Sequence, residues 1–98
     1  MKKENRAIVL AIAFSESSLN YNVKHPDRLT HGIGGIKTGI HKLKHNANSL
    51  LGIEELWVRL MKANKGNFTK SLKMYKGTVR NYKSFNITMN LYRKLIRH

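Results

Sequence analysis

The sequence predicts an all-α fold in a single domain that spans residues 1–98, and three observations support this prediction. The chain has 98 residues, which suffices for one compact domain and not for two. Apolar residues make up 41% of the chain, a fraction typical of globular proteins. Several segments repeat apolar residues every three or four positions, which is the period of an amphipathic helix. The absence of cysteine excludes disulfides and thiolate zinc sites.

The first helix is predicted over Arg6–Leu19, whose centre, Ala7–Phe14, is continuously apolar. The alanines in this run favour a helix that is covered on most sides over a buried strand. The polar segment Asn20–Gly35 contains the single proline and several glycines, and we predict a loop there. A weak helix, interrupted by Gly39, is predicted over Ile36–His45.

A secretory signal is an alternative interpretation of the N-terminus. Lys2, Lys3 and Arg6 precede the apolar run, and Ala11–Ala13 has the small residues of a cleavage site. The apolar run is short for a signal, however, and Glu4 lies within its basic region. We therefore expect this segment to be a helix of the domain, and we expect no clear signal peptide. The chain also lacks the run of about 18 apolar residues that a membrane-spanning helix needs.

Three stronger helices are predicted in the second half of the chain. The first covers Asn48–Ala63 and is stopped by Asn64–Asn67, the second covers Thr69–Lys76 and ends at Gly77, and the last covers Lys83–Ile96. The apolar residues that recur at helical spacing in these segments are Leu50, Ile53, Trp57, Leu60, Met61, Leu72, Tyr75, Phe85, Met89, Tyr92 and Ile96.

The charge of the chain is strongly positive. Nineteen Lys and Arg stand against five Asp and Glu, which gives a net charge of +14. This balance predicts an anionic partner, which could be nucleic acid, an anionic membrane surface or an anionic polymer of the cell wall. The few acids also restrict carboxylate chemistry to a few candidates. Among them, Glu54 and Glu55 are expected to be solvated, and Asp27 is expected to be a turn residue beside Pro26.

Glu16 differs from the other acids because it lies on an apolar helix face. At about 100° per residue it falls within about 40° of Val9 and Ile12 on the surface of the first helix. The negative end of the helix dipole and partial burial both favour the neutral acid, which is the form that a general acid needs. The alternative is a glutamate at the edge of the stripe, turned into solvent or paired with a lysine.

Four segments of the chain, taken in order, resemble the catalytic domain of the soluble lytic transglycosylase family. Glu16–Asn20 matches a Glu-Ser-x-x-Asn motif at the end of an apolar helix, and Gly32–Ile36 stands where the family has a Gly-Leu-Met-Gln-like segment. Asn48–Gly52 matches an Asn-x-x-x-Gly helix start, and Gly66-Asn67 followed by Leu72–Gly77 stands for an Ala-Tyr-Asn-like segment. The resemblance extends over residues 8 to about 82. It implies a lysozyme-like α fold and cleavage of peptidoglycan.

The chain departs from the family pattern at three positions. Gly34 and Gly35 stand where the family has the Met and Gln of its substrate groove, and Lys76 stands where Asn is usual.

The resemblance assigns the catalytic role to Glu16, without a metal or another cofactor. Glu16 would protonate the β-1,4 glycosidic oxygen between N-acetylmuramic acid and N-acetylglucosamine. It would then act as a base toward the 6-hydroxyl of the sugar, which gives a 1,6-anhydro product. The residues that the resemblance implies for substrate binding are Ser17, Asn20, Gly32, Ile33, Gly34, Gly35, Tyr75 and Tyr82. The partners implied are peptidoglycan strands and the anionic wall, and the expected place of action is the cell envelope of a bacterium or a phage-associated setting, with the protein as a monomer.

Several alternatives remain open at the level of sequence. If Asp27 holds a water, the product is that of a hydrolase, as in the related goose-type lysozymes. An inactive relative that only binds glycan is a further alternative. A small basic nucleic-acid-binding protein is another, although no recognisable binding motif supports it. It is suggested by basic residues that interleave with two tyrosines, namely Lys70, Lys73, Lys76, Arg80 and Lys83 with Tyr75 and Tyr82.

A metal site is not predicted. His41 and His45 are four residues apart, which is a ligand spacing on a helix, but no carboxylate lies near them in the sequence and lysines surround them.

Overall fold

A computed structural model describes residues 1–26, 30–77 and 82–97 of the chain. Within these ranges the fold is mostly helical and includes one small sheet. The elements in chain order are a short 3-10 helix over Lys3–Asn5, α1 over Arg6–Ser17, β1 over Thr30–His31, β2 over Ile36–Lys37, α2 over Leu50–Ala63, α3 over Phe68–Lys76 and α4 over Tyr82–Ile96. No helix in the described ranges is long and apolar enough to cross a membrane.

The core is built around α1, which packs against both α2 and α4. Its apolar run is buried as predicted, with Ile8, Val9 and Ile12 no more than 1% exposed, while Phe14 is half exposed. Each such side chain contributes about 1.5–3 kcal/mol on burial. The buried residues that form the core with α1 come from the sheet and from the next two helices, namely Ile33, Ile36, Ile53, Leu56, Trp57, Leu60 and Leu72.

Local sequence explains where the helices begin and end. The side chains of Ser49 and Asn67 cap α2 and α3, each accepting a hydrogen bond from the backbone N–H three residues later. Ser18 ends α1 in the left-handed conformation with φ of 53°, and Gly77 ends α3 with φ of 68°. The predicted bounds of the last three helices agree with the structure to within two residues at each end.

The predicted helix over Ile36–His45 is wrong. Ile36–Lys37 is a strand that pairs antiparallel with Thr30–His31, with Thr30 opposite Lys37 and His31 opposite Ile36. The intervening turn is closed by a hydrogen bond from the N–H of Gly35 to the carbonyl of Gly32, 3.1 Å long, and both glycines have positive φ. The glycines thus form a hairpin inside the segment that was predicted as a loop. The fold is therefore mostly helical, as predicted, with a small two-stranded sheet in addition.

The predicted solvation of Glu54 and Glu55 is also corrected. The Glu54 carboxylate accepts hydrogen bonds from the N–H of Lys2 (2.8 Å) and from the Asn5 side chain (3.0 Å). The Glu55 carboxylate accepts from the N–H groups of Lys44 and His45 at 2.7–2.9 Å, and also pairs with the His45 ring. Both acids therefore fasten irregular segments to α2, and His45 lies in one of these segments rather than on a helix with His41.

Candidate active site

The Glu16 side chain lies in the last turn of α1 and faces an open groove with a volume of about 300 Å³. The side chain of Glu16 is 23% exposed, so part of its surface is available to a ligand. The groove runs between the end of α1, the hairpin and the end of α3, and the polar and glycine residues of its lining include Glu16, Gly35, Lys37, His41, Tyr75 and Lys76. Among the residues that the structure describes, Glu16 is the one carboxyl group that lines it.

Gly35 brings backbone directly against the Glu16 carboxyl group. A Cβ atom at this position would lie 2.5 Å from Glu16 Oε2, and the φ of +61° is one that residues with side chains rarely adopt. A glycine is therefore needed here for conformation and for space. The backbone of Gly35 thus forms a wall of the groove next to the carboxyl group.

Tyr75 fastens the hairpin turn to α3. Its hydroxyl donates a 2.9 Å hydrogen bond to the carbonyl of Gly34, and a Cβ on Gly34 would lie 2.6 Å from that hydroxyl. Burial, and secondarily the negative charge of Glu16, raise the pKa of Tyr75 well above its ordinary value. The phenol therefore remains a protonated donor across the physiological range.

Ser17 holds the same turn to α1. Its buried hydroxyl lies 2.9 Å from the carbonyl oxygen of Ala13 and 2.8 Å from that of Ile33, and it donates its proton toward these two acceptors. The N–H of Ile33 donates to the Asn48 side chain (3.1 Å). The side chain of Ile33 is completely buried in the core and does not face the groove. Ser17 and Ile33 thus position the glycine turn from within the protein.

The remaining predicted site residues do not meet at Glu16. Asn20 is exposed after the end of α1, where its side chain accepts from the N–H of Asn22 (2.9 Å). Gly32 packs against the Ala47–Asn48 backbone, and its carbonyl accepts from His25 Nε2 at 2.6 Å. Neither residue is part of the groove lining.

Asp27 and the side chain of Tyr82 lie outside the described part of the chain. Asp27 falls between the described ranges, and the hydrolase interpretation that depends on it stays a prediction. Tyr82 is the first residue of α4, and its side chain lies outside the described residues.

Lys76 is the residue at this site whose role the sequence did not reveal. Its Nζ donates to Glu16 Oε1 at 2.6 Å and to Ser15 Oγ at 2.8 Å, and its side chain is only 2% exposed. Thr88 on α4 contacts Ser15 Oγ from the other side at 2.8 Å and is itself fully buried. Burial lowers the pKa of Lys76, and the charge and hydrogen bond of Glu16 offset this only in part.

One signal in the sequence could have pointed to a buried polar contact on α4. Thr88 is a polar residue that interrupts the apolar stripe of α4, between Phe85 and Tyr92, and a buried hydroxyl requires a polar partner. Its hydroxyl contacts Ser15 and the Ser84 carbonyl, and only the packing of α3 on α2 and α4 brings Lys76 to Ser15 and Glu16.

A larger groove lies elsewhere in the described part of the structure. It has a volume of about 630 Å³ and lies between the N-terminal residues, α2 and α3, where its lining includes Asn5, Trp57 and Phe68. None of the residues predicted for the active site contributes to it. Within the described ranges no group of three or more His, Asp or Glu side chains is placed to hold a metal ion. The acid of that larger groove is Glu4, whereas the smaller groove is the one whose lining includes the predicted catalytic residue Glu16.

Comparison with protein-family models, curated proteins and solved structures found no match to the chain. The fold and the site define it as a small, mostly helical protein in which a carboxylate and a buried lysine form an ion pair at the side of a glycine-walled groove. Conclusions about its activity rest on the chemistry of that groove and on the motif resemblance.

Proposed function

We propose that the protein is a peptidoglycan lytic transglycosylase with a lysozyme-like arrangement of helices, in which Glu16 is the general acid and base. The observation that carries the proposal is that Glu16 is the accessible carboxyl group of a groove walled by the backbone of Gly35. A wall without a side chain allows a bulky sugar ring to approach the carboxyl group closely. The Glu16–Ser17 motif, the glycine turn and Tyr75, which the resemblance selects from distant parts of the sequence, adjoin one another at this groove.

A single carboxyl group is sufficient for the proposed chemistry. Glu16 gives a proton to the glycosidic oxygen as the bond from that oxygen to C1 of the muramic acid breaks. The acetamido group of the substrate stabilises the positive charge at C1. The 6-hydroxyl of the same sugar then attacks C1 and returns its proton to Glu16, so that the anhydro product forms without water as a nucleophile. Conventional glycosidases use a pair of carboxyl groups, and among the described residues no second one lines this groove.

The charge of the protein supports a wall-directed role. A net charge of +14 concentrates the protein on an anionic polymer without specific contacts. We therefore place its action in the cell envelope, on peptidoglycan strands, or in a phage-associated setting where the wall is cut.

The test is digestion of purified peptidoglycan by the wild-type protein and by Glu16→Gln, with mass spectrometry of the released muropeptides. We expect anhydro ends from the wild type and a loss of at least about 100-fold in Glu16→Gln, as is typical when a general acid is removed. Glu4→Gln, which removes an exposed acid outside the groove, is the matched control and should retain full activity. Reducing ends in place of anhydro ends would identify a lysozyme-type hydrolase.

A second candidate function is that of a glycan-binding relative without activity. The observation that favours it is the ion pair, because Glu16 Oε1 already accepts a hydrogen bond from Lys76 in the resting structure. This candidate predicts that wild type and Glu16→Gln sediment equally with peptidoglycan and that neither releases muropeptides. If the protein neither sediments with peptidoglycan nor releases muropeptides, salt-sensitive binding to nucleic acid would favour the small basic nucleic-acid-binding protein instead.

A further inference from the structure

Lys76 has a buried side chain, whereas the other lysines and arginines within the described ranges are exposed. The side chain of Lys76 is 2% exposed, whereas that of Arg59, in the surface ion pair with Glu55, is 45% exposed. Burying an ammonium group is costly unless a counter-charge and hydrogen bonds replace its water. Glu16 Oε1 and Ser15 Oγ supply both, at 2.6 Å and 2.8 Å. The lysine is therefore held in place beneath the groove rather than being a solubilising surface residue.

Among the described residues that line the groove, Glu16 is the one acid beside Lys76. From α1 the lysine is met by the uncharged Ser15, which also contacts Thr88 of α4. Tyr75 of α3 donates to the Gly34 carbonyl. From the hairpin side, Lys37 and His41 line the same groove. The charge of the pair is the same whether it exists as ammonium and carboxylate or as amine and carboxylic acid, so a proton can move within it at a small electrostatic cost.

We propose that Lys76 is a positioning residue that supplies Glu16 with the proton used in glycosidic cleavage and takes it back afterwards. This inference rests on the proposed function and deepens it. A carboxylate paired with an ammonium cannot by itself act as a general acid. Transfer of one proton from Lys76 Nζ to Glu16 Oε1, once sugar fills the groove and excludes water, converts the pair into amine and carboxylic acid. Glu16 then delivers that proton to the leaving oxygen.

The cycle balances without any further reactant. After the bond from C1 to the glycosidic oxygen breaks, the leaving sugar carries the proton and the pair is left as amine and carboxylate. The 6-hydroxyl that attacks C1 releases one proton to Glu16, and Glu16 passes it to Lys76. The ammonium and carboxylate are thereby restored, and one anhydro end has formed for each bond cut.

The chemistry requires a lysine rather than an arginine. A buried lysine gives up its proton readily, whereas a guanidinium remains charged in proteins. Lys76→Arg therefore keeps a cation beside Glu16 but removes the movable proton, and Lys76→Met removes the cation itself. Lys73→Arg makes the same change at an exposed position of α3 and is the matched control.

The experiment is the pH profile of muropeptide release by the wild type and these three variants. We expect a loss of at least about 100-fold in Lys76→Arg, within the range for removal of a proton-transfer group, and no change in Lys73→Arg. In Lys76→Met we expect the pH optimum of muropeptide release to move to acidic pH. Without the lysine, Glu16 must take its proton from solvent, and a carboxyl group does so only at acidic pH. Thermal unfolding followed by circular dichroism establishes that each variant is folded, and kinetics are compared only at temperatures below every midpoint.

A wild-type rate in folded Lys76→Arg, or an unmoved optimum in Lys76→Met, overturns the relay and leaves the lytic transglycosylase proposal intact. A wild type that releases no muropeptides overturns both. A separate measurement bears on the pair itself, namely the titration of the Lys76 amine by nitrogen-15 NMR. Because the Glu16 carboxylate raises the pKa of Lys76 against the effect of burial, Glu16→Gln should lower the pKa of that amine further. A Lys76 amine that titrates with the exposed lysines in both proteins would contradict the relay.

Discussion

Gly35 is the residue at which the backbone of the hairpin turn comes nearest to the Glu16 carboxyl group. Two independent reasons require a glycine at this position. Its φ is +61°, which residues with a side chain rarely adopt, and a Cβ there would lie 2.5 Å from Glu16 Oε2. Gly66 shares the first requirement, with φ of +81°, but a Cβ there would meet nothing within 4 Å. The two glycines therefore allow backbone strain to be separated from contact with the carboxyl group.

We predict that Gly35→Ala loses both stability and activity, whereas Gly66→Ala loses stability alone. A left-handed conformation costs about 1–2 kcal/mol for a residue with a Cβ, and this cost is common to both variants. Only the methyl group at Gly35 displaces Glu16. Urea unfolding and muropeptide release, measured on the same preparations, provide the comparison. Equal retention of activity in the two variants would show that the position of Glu16 does not depend on this glycine.

At the scale of the elements, Glu55 joins the segment before α2 to the helix. Its carboxylate accepts from the N–H groups of Lys44 and His45 and pairs with Arg59 one turn later, and these contacts lower the pKa of Glu55 to about 2, with the Lys44 hydrogen bond as the largest cause. The ordinary value is 4.5. Because the folded-state pKa is depressed, the stabilisation is present above pH 4.5 and is lost as the pH falls toward 2.

We therefore predict that Glu55→Gln flattens the acid side of the stability curve. The free energy of unfolding of the wild type should fall more steeply than that of Glu55→Gln between pH 4.5 and about 2. Urea unfolding at several pH values in this window measures the two slopes. Glu4→Gln removes an exposed acid from the N-terminal turn and is the control. Parallel slopes for wild type and Glu55→Gln would mean that these contacts of the carboxylate do not stabilise the fold.

The elements also show how far local sequence determines this fold. The last three helices follow from apolar spacing and from caps such as Ser49 and Asn67, which act within a few residues of one another. Ile36–His45 was wrongly predicted as a helix because its few apolar positions fit a helix as well as a strand. The choice depends on the pairing of Ile36–Lys37 with β1, which is a contact between segments.

At the scale of the whole molecule, positive charge exceeds negative charge by far. Glu16 pairs with Lys76, Glu54 holds the N-terminal turn to α2, and Glu55 holds the segment before α2 to that helix. Five acids offset only a small part of the charge of nineteen lysines and arginines, so a net charge of +14 attracts anions around the protein. Attraction of this kind is long-range and screened by salt, unlike contacts inside a groove.

We predict that association with peptidoglycan weakens strongly with ionic strength. Raising the salt concentration from about 0.1 M to about 1 M shortens the Debye length from about 10 Å to about 3 Å, which screens surface attraction. Co-sedimentation of Glu16→Gln with intact peptidoglycan measures binding without cleavage, and peptidoglycan stripped of its anionic polymers is the control substrate. Binding that is insensitive to salt would mean that contacts in the groove, rather than the net charge, hold the protein on peptidoglycan.

The bounds of the last three helices, the burial of the α1 run and the difference between Glu16 and the other acids could be inferred from the sequence. These features depend on periodicity, capping and composition, which act over a few residues or over the whole chain without regard to its path. The partner of Glu16 is different in kind. Lys76 is 60 positions away along the chain, and it meets Glu16 only because α3 packs on α2 and α4, which both pack on α1. Whether a lone carboxylate faces water or a buried ammonium is a property of packing, and no local pattern encodes it.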